Sequence, residues 1–567
     1  MLSVTHDGIS EISGPIKGCS RLKKKIIIYG GITLVALIYI FFAAPNLNPL
    51  YSDGAFFWLA LVTIYLVTSQ IIGSKLFSLE HGDGKQASVS FNKDNVHFRK
   101  WLLIVLGALW VIYFGVMIGS SVFFHYKAYR DQMPEPTVKV FDNEVQALDT
   151  EQIPVVDRDL AYKLADKQLG EKTSLGSQVY VGEPTIQQVN GKLVWAVPLH
   201  HSGVFKWLAN LEGSDGYIIV SATNQNDVQY VDQYKIKIQP DCYLLDDLER
   251  HVRLGQGLFT GITDYSFELD DSGKPYWVVT TYKNLRGFAL PEANGVIIVD
   301  ATTGSMERYG MDNIPEWVDR VQPRSFIREQ MDNKGKYIHG IFNFSNKDKY
   351  KMSDGDMIVY NNNRCYMLSG MTSIGSDESL ISFVMVDMKT KEPLLYKISG
   401  STEQAAQNSA QGKVQDLGYS ASFPLILNID SQPTYFMTLK DAEGLIKQYA
   451  FVSVNSYGVV GTGQTIADAK KDYDKSLIAG GVQTAPKVEK QKIEGTVERI
   501  ASEMTDNTTV YRILLEGSGT IYQLSSNLSP ELALTQKGDK VVIEYAKTDE
   551  TVITASSFDN QSIGTTQ

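Results

Sequence analysis

Three stretches near the N-terminus carry no charged side chain and are long enough to cross hydrocarbon: Ile26–Ala44, Ala55–Ser74 and Trp101–Phe124. At about 1.5 Å per residue, the first spans roughly 28 Å as a helix, close to the thickness of a bilayer core. Lipid offers no partner for backbone N–H and C=O groups, so such segments close their hydrogen bonds internally as helices. Tyr51, Phe56, Phe57, Trp58, Trp101 and Tyr126 near the ends suit an interfacial aromatic belt. The first stretch can also be read as a signal peptide cut after Ala44; its long apolar core and the two stretches that follow predict an uncleaved anchor.

Lysine and arginine in the short flanks predict orientation. Residues 1–25 hold Lys17, Arg21, Lys23, Lys24 and Lys25; the loop from Pro45 to Gly54 holds none; the loop from Lys75 to Lys100 holds Lys75, Lys85, Lys93, Arg99 and Lys100. This pattern predicts a plasma or inner membrane protein with a cytoplasmic N-terminus and everything beyond Phe124 extracytoplasmic. Gly115 and Gly119 form a small-xxx-small pair in the third stretch, a candidate homo-oligomer face, although glycine is also common in membrane helices.

The remaining chain is polar and strand-rich. The net charge of −11, from 53 basic and 64 acidic residues, disfavours nucleic acid as a partner. Three cysteines, Cys19, Cys242 and Cys365, are too few for a disulfide scaffold. Cys242 and Cys365 are expected to be buried thiols, with pairing between them as the alternative.

From Val138 a unit recurs: a polar turn, an aromatic-bearing strand, a loop, then an apolar strand. The copies read KLVWAVPL with GYIIVSATN, KPYWVVTTY with GVIIVDATTG, RCYMLSGMT with SFVMVDMKTK, and PTYFMTLKD with YAFVSVNSYG. Asn190–Gly191, Asp270–Gly273, Asn361–Asn363 and Asp430–Gln432 supply the turns. Trp195, Trp277, Tyr366 and Tyr435 are aligned as the core anchors of four sheets. Amphipathic stretches starting at Asp157, Cys242, Thr402 and Thr465 are predicted to be helices covering the sheets, the second running to Leu254 and the third to Leu417. The small residues Ala405, Ala406, Ser409 and Ala410 are expected to pack inside the domain.

The helix, then GKPYWVVT, then GVIIVDATTG resembles the PepSY module, a small α+β unit of secreted and membrane-anchored bacterial proteins. The likeness is strongest over Asp157–Val231 and Asp241–Tyr309. It implies an inhibitory, regulatory or scaffolding role outside the cytoplasm and transfers no catalytic residue.

Residues 479–490 have linker composition. Beyond them about five short strands over 491–560 predict a small OB or SH3-like β-barrel. It holds 6 basic and 11 acidic residues from Gln491 onward, which argues against nucleic acid binding. A disordered tail is expected from about Asp559. The fold class is therefore α+β: residues 1–25, spans within 26–124, two PepSY-like modules over 138–310, two divergent modules over 311–478, a linker and a barrel.

No pattern in the chain announces catalysis. His200–His201 are neighbours on a strand, where side chains alternate between faces, so they do not readily share an ion. Gly82–Lys85 lacks the strand and spacing of a phosphate loop. Asp270–Gly273 and Asp354–Asp356 read as turns. Cys365 has no histidine near in sequence except His339 and is expected to be buried. Asn343, Asn507, Asn527 and Asn560 stand in glycosylation sequons. No catalytic, cofactor or metal residues are assigned. The expectation is a non-enzymatic envelope protein, its partners the bilayer and another envelope or membrane protein. The alternatives are a subunit of a larger secretion, transfer or morphology complex, and an envelope enzyme with an unrecognised site.

Overall fold

The computed structural model describes residues 17–73, 77–81, 87–91, 100–139, 141, 153–172, 175–361, 363–374, 380–429, 432–479, 490–505, 508–526, 528–546 and 552–563. Lys75, Lys85, Lys93 and Arg99, the Gly82–Lys85 segment, most of the linker, and the sequons at Asn507 and Asn527 lie outside these residues.

Helices α1 (Lys17–Ala43), α2 (Ser52–Gly73) and α3 (Lys100–Gly119) contain the three apolar stretches, each long and apolar enough to cross a membrane. Strands β1 (Phe77–His81) and β2 (Ala87–Phe91) form a hairpin between α2 and α3. The third stretch ends at Gly119, five residues before the expected Phe124. There the Ser120 hydroxyl donates back to the Val116 carbonyl at 2.6 Å and accepts the Phe288 N–H at 3.1 Å. The chain breaks at Ser120–Ser121 and restarts as a separate helix, α4 (Val122–Arg130), kinked at His125.

The chain divides into two units, residues 1–429 with 433–476, and residues 430–432 with 477–567. In the first, a short strand β3 (Thr137–Lys139) leads to a fourfold arrangement of helix followed by antiparallel meander. The first repeat has α5 (Arg158–Gly170), β4 (Val179–Val181), β5 (Thr185–Val189), β6 (Lys192–His201), α6 (Val204–Ala209), β7 (Ser214–Ser221) and β8 (Val228–Ile236). The second has α7 (Leu248–Val252), β9 (Gly261–Leu269), β10 (Pro275–Arg286), β11 (Ala289–Asp300) and β12 (Met306–Gly310). The third has α8 (Arg324–Lys336), β13 (Tyr350–Met352), β14 (Met357–Asn361), β15 (Arg364–Ser373), β16 (Leu380–Asp387) and β17 (Pro393–Tyr396), with β3 added in parallel at its edge. The fourth has α9 (Glu403–Lys413), β18 (Ser420–Ala421), β19 (Leu425–Ile429), β20 (Gln432–Lys440), β21 (Ile446–Ser453) and β22 (Val460–Gly463), followed by α10 (Ile466–Ala479). In the first, third and fourth sheets the leading strand is split in two, both pieces pairing with the long second strand; in the second it is the unbroken β9.

Backbone bonds fix the correspondence between repeats. The residue after each third strand, Ala222, Ala301, Met388 or Val454, donates to a carbonyl at the start of the second strand: Leu193, Pro275, Cys365 or Pro433. Each also accepts from the segment leading into its own helix. The anchor two residues after the acceptor is Trp195, Trp277, Met367 and Tyr435, and these four lie opposite Val220, Val299, Val386 and Val452. Tyr366 therefore matches Tyr276, not Trp277, which corrects the alignment made from the sequence. Arg364 and Lys274 support this match: each ion-pairs with the aspartate ending its third strand, Asp387 or Asp300, and lies over the ring of Tyr366 or Tyr276.

The helix expected over Cys242–Leu254 is short and interrupted. Asp247 accepts the Arg250 N–H at 2.9 Å and starts α7 at Leu248, after a separate 3-10 turn over Leu244–Asp246; the LGQG run then forms a π-type turn over Arg253–Gly257. The helix starts read from the sequence at Asp157, Thr402 and Thr465 are present, and each of these side chains caps its helix by accepting an N–H of the first turn. Ala406 and Ala410 of α9 are buried. Helix α8 was not expected: it buries Gln330, Lys334 and Gly335 beside Ile327 and Met331, so its inner face carries no continuous apolar stripe.

The first and second sheets share one core. Ala196, Tyr217 and Ile236 of the first pack with Leu248, Phe267, Trp277 and Ile297 of the second. Gln187 exchanges two hydrogen bonds with the backbone of Leu269, at 2.9 and 2.7 Å, inside this core.

The second repeat rests directly on the helix ends. Leu47 N–H donates to Leu258 O at 2.8 Å, and the Tyr51 hydroxyl to Tyr282 O at 2.6 Å. Arg250 Nε donates to Phe41 O at 2.9 Å, and Phe288 packs on Tyr113. The repeats thus lie at the end of the bundle where α1 finishes, α2 begins and α3 finishes.

In the second unit, β23 (Lys490–Thr505), β24 (Thr508–Leu515), β25 (Ile521–Ser525), β26 (Lys540–Ala546) and β27 (Val552–Asn560) pair in a closed ring. The long β23 pairs with β26 through its first half and with β24 through its second, changing partner where the register shifts at Val497. Val497, Ile513, Tyr522, Leu524, Ile543 and Phe558 fill the interior. The tail expected from Asp559 is corrected: β27 runs through Asn560, whose buried amide donates to Thr535 Oγ1 at 3.0 Å and Asp539 Oδ2 at 2.9 Å. A polar run hid a strand because its asparagine is buried by hydrogen bonds rather than by apolarity. Burial also removes Asn560 as a glycan acceptor in the folded chain.

Candidate functional site

The segment between the second and third repeats carries a charged pair, Asp319–Arg320, inside an apolar frame. Val318 and Val321 on either side are buried against Val278, Val296 and Ile298 of the second sheet. That packing drives the charged pair into the junction of three repeats. Asp319 Oδ2 accepts the Gln188 N–H of β5 at 3.2 Å and the Tyr360 hydroxyl of β14 at 2.7 Å. Its own N–H donates to Glu268 Oε2 of β9 at 3.1 Å, and Ser266 Oγ donates to Glu268 Oε1 at 2.6 Å.

Burial raises the Glu268 carboxyl to about 7, against the opposing pull of Arg320. Burial also raises Asp319, outweighing the hydrogen bond from Tyr360, and lifts the Tyr360 hydroxyl well above its ordinary range. Arg320 stays charged against burial because Glu268 lies near it, yet its Nε is sealed from water with no hydrogen-bond partner.

Arg320 lines a cleft of about 750 Å³ bounded by the first, third and fourth repeats. One wall is the entry to α5, where Asp157 both caps the helix and ion-pairs with Lys440 of β20. Another is the entry to β14, where Asp356 binds Arg324 and Arg328 of α8. Met357, Ile358, Phe423, Leu425 and Phe436 supply apolar surface. A cleft with apolar walls, ion pairs along it and the Arg320 guanidinium in its lining suits a ligand bearing an acidic group.

The residues weighed in the sequence lie elsewhere. Cys242 and Cys365 are free thiols, and Cys365 Sγ faces Met388 Sδ at 3.8 Å. Burial raises both thiols, Cys242 to about 11, so neither is a thiolate at neutral pH. His200 and His201 are buried; burial lowers both, His200 to about 4, which leaves them neutral. His339 pairs with Asp348 at 2.8 Å, away from Cys365. Asp270 Oδ1 accepts from Ser272 and Lys274 in a hairpin turn. Among the described residues, no three of His, Cys, Asp and Glu stand where they could hold a metal ion. The junction residues Glu268, Asp319, Arg320 and Tyr360 were not selected from the sequence. The signal was the V-D-R-V run, a charged pair between two apolar residues.

No family model matches the chain, and no curated protein matches it. Among solved structures, a levansucrase variant from B. megaterium aligns at 9% identity and TM-score 0.19, over 73% of this chain and 97% of that one. A Bombyx mori beta-fructofuranosidase variant with sucrose aligns at 10% identity and TM-score 0.18, over 71% and 70%. A Synechocystis apocarotenoid oxygenase variant aligns at 10% identity and TM-score 0.13, over 52% and 49%. Likeness this shallow assigns neither a fold nor an activity to the chain.

Proposed function

We propose that this chain is a membrane-anchored, extracytoplasmic binding protein with a regulatory or scaffolding role in a bacterial envelope, and not an enzyme. Its first two repeats, over 138–310, are PepSY-like modules, the two over 311–478 are divergent α+β repeats, and its C-terminal barrel is of OB or SH3-like type. The observation that supports a binding role most directly is the cleft whose lining includes Arg320. A charge-assisted bond to that guanidinium is worth about 1.5–3 kcal/mol, enough to select an acidic group on a partner's extended segment. Orientation rests on the lysine and arginine pattern of the flanks: the repeats sit at the helix end whose connecting loop, Pro45–Gly54, carries neither.

A photocrosslinking residue in place of Phe423, in native membranes, should capture one protein partner in stoichiometric amount, and Arg320→Met should abolish the product. No captured protein, or equal capture by the variant, would remove this reading. For orientation, Ser272→Cys should react with a membrane-impermeant maleimide on intact cells, whereas Lys23→Cys should react only after permeabilisation. The reverse pattern would invert the topology.

A second reading, a subunit of a larger membrane complex, draws support from Gly115 and Gly119. A Cβ at either position meets nothing within 4 Å, so this narrow helix face is open to another helix.

A further inference from the structure

Two elements of the soluble repeats are tied to the ends of spanning helices and a third to α4, the short helix that follows the third span; two of the three carry large exposed apolar side chains. The first is the turn before α7. The Arg250 guanidinium lies 5.4 and 5.8 Å over the rings of Phe41 and Phe42, in the last turn of the Lys25–Ala43 span, and also donates to the Leu244 carbonyl. One guanidinium therefore sets the Leu244–Asp246 turn at the depth of the helix end. Leu245 on this turn is 55% exposed. Trp207 Nε1 donates to Asp246 Oδ2 at 2.8 Å, which seats α6 on the same turn with Phe205 80% exposed.

The second element is the tip of the β10–β11 hairpin. Phe288 bonds to Ser120 and packs on Tyr113, and a Cβ at Gly287 would meet Val116 at 3.2 Å. The tip therefore reaches the last turn of α3. The third is the loop after α8. A Cβ at Gly340 would lie 3.5 Å from the Tyr126 ring of α4, which leaves the end of α3 after two serines. Phe344 in this loop is 84% exposed.

We infer that the repeats lie on the bilayer itself, with α6, the Leu244–Asp246 turn and the Phe342–Phe344 loop inserted at the boundary between headgroups and acyl chains. Supports at the ends of α1 and α3 hold the second repeat, and one at the middle of α4 holds the third, so neither repeat can lift these side chains away freely. The occupant of the apolar face is lipid because Phe41, Phe42, Val116 and the adjoining Ser120, which fix its depth, lie at the ends of helices that lipid must surround. Aromatic and leucine side chains partition favourably into that boundary layer. The inference rests on the spanning helices and is independent of which side is cytoplasmic.

The test uses the full chain reconstituted in phosphatidylcholine vesicles, with Cys19→Ser and Cys242→Ser and the buried Cys365 kept. Spin labels are placed singly through Phe205→Cys, Leu245→Cys and Phe344→Cys, with Ser272→Cys at the far end of the twelve-residue β10 as the water-facing reference. Collision with oxygen should exceed collision with a water-soluble nickel chelate at the first three sites and fall below it at Ser272. A label at any of the three that matches Ser272 overturns the seating and leaves that face to a protein partner. Each surface variant counts only when Cys365 remains unreactive, which reports an intact fold. Neither result bears on the maleimide pattern in cells, so failure of the seating and failure of the topology are separable.

Discussion

Trp195 and Trp277 make the same hydrogen bond across the same interval: each indole donates at 2.8 Å to a carbonyl 39 residues earlier, Val156 or Ile238. Both acceptors belong to the strand-like entry into the helix of their own repeat. The indole therefore locks helix entry to sheet centre. Tyr435 does the same through its hydroxyl to Ser401 O at 2.8 Å, over 34 residues.

Replacing either tryptophan with phenylalanine keeps most of the packing and orphans a buried carbonyl. Trp195→Phe and Trp277→Phe should each lower unfolding free energy by about 1–3 kcal/mol. Alanine at either site should remove about 3–5 kcal/mol. Met367→Ala, at the matching position of the third repeat, should lose about 2–5 kcal/mol by cavity formation alone. Denaturant titration of the purified protein measures all five, and a Met367→Ala effect below about 1 kcal/mol would contradict the revised alignment.

His200 and Glu268 pull stability in opposite directions over one pH window. His200 titrates near 4 in the fold and near 6.5 when unfolded, so its contribution is whole above 6.5 and is lost as pH falls toward 4. Glu268 titrates near 7 in the fold and near 4.5 when unfolded, so its contribution is whole below 4.5 and is lost as pH rises to 7. Each displacement corresponds to roughly 3 kcal/mol between protonation states. Melting of the wild type should change little between pH 4.5 and 6.5. His200→Phe should unmask a loss with rising pH, and Glu268→Gln a loss with falling pH. Parallel profiles for the three proteins would rule this account out.

Asp319 holds the first and third repeats to the second. Asp319→Ala deletes the acceptor for Gln188 and Tyr360 and should destabilise by about 3 kcal/mol, the scale of bonds to a charged group. Hydrogen exchange should quicken at Gln188 of β5, and unchanged protection there would show that apolar packing alone joins the repeats.

Leucine at Gly115 and Gly119 should leave the monomer intact, because an added Cβ meets nothing within 4 Å. If that face pairs two copies, crosslinked dimer in membranes should fall about tenfold, equivalent to a contact of about 1.4 kcal/mol. An unchanged dimer yield would exclude these glycines as the contact.

The sequence announced what rests on composition and period. The spans were legible because lipid tolerates no charge, and the helix starts at Asp157, Thr402 and Thr465 because a side-chain acceptor beside an amphipathic stretch favours that position. Helix α8 was hidden because Gln330 and Lys334 are buried with it. The third repeat was misaligned by one residue, since Tyr366 and Met367 both fit a strand and only the Met388–Cys365 bond separates them. The cleft was invisible, because it is made where Asp157, Arg320, Asp356 and Lys440 converge from distant segments.

Because Tyr217 and Trp277 dwell in one interior, the first two repeats are not beads on a string. A fragment ending after β8 would present half of a hydrophobic chamber to solvent, and one beginning at β9 would present the other half. The smallest piece of these two repeats able to enclose that interior is the pair, so the two must fold and unfold together.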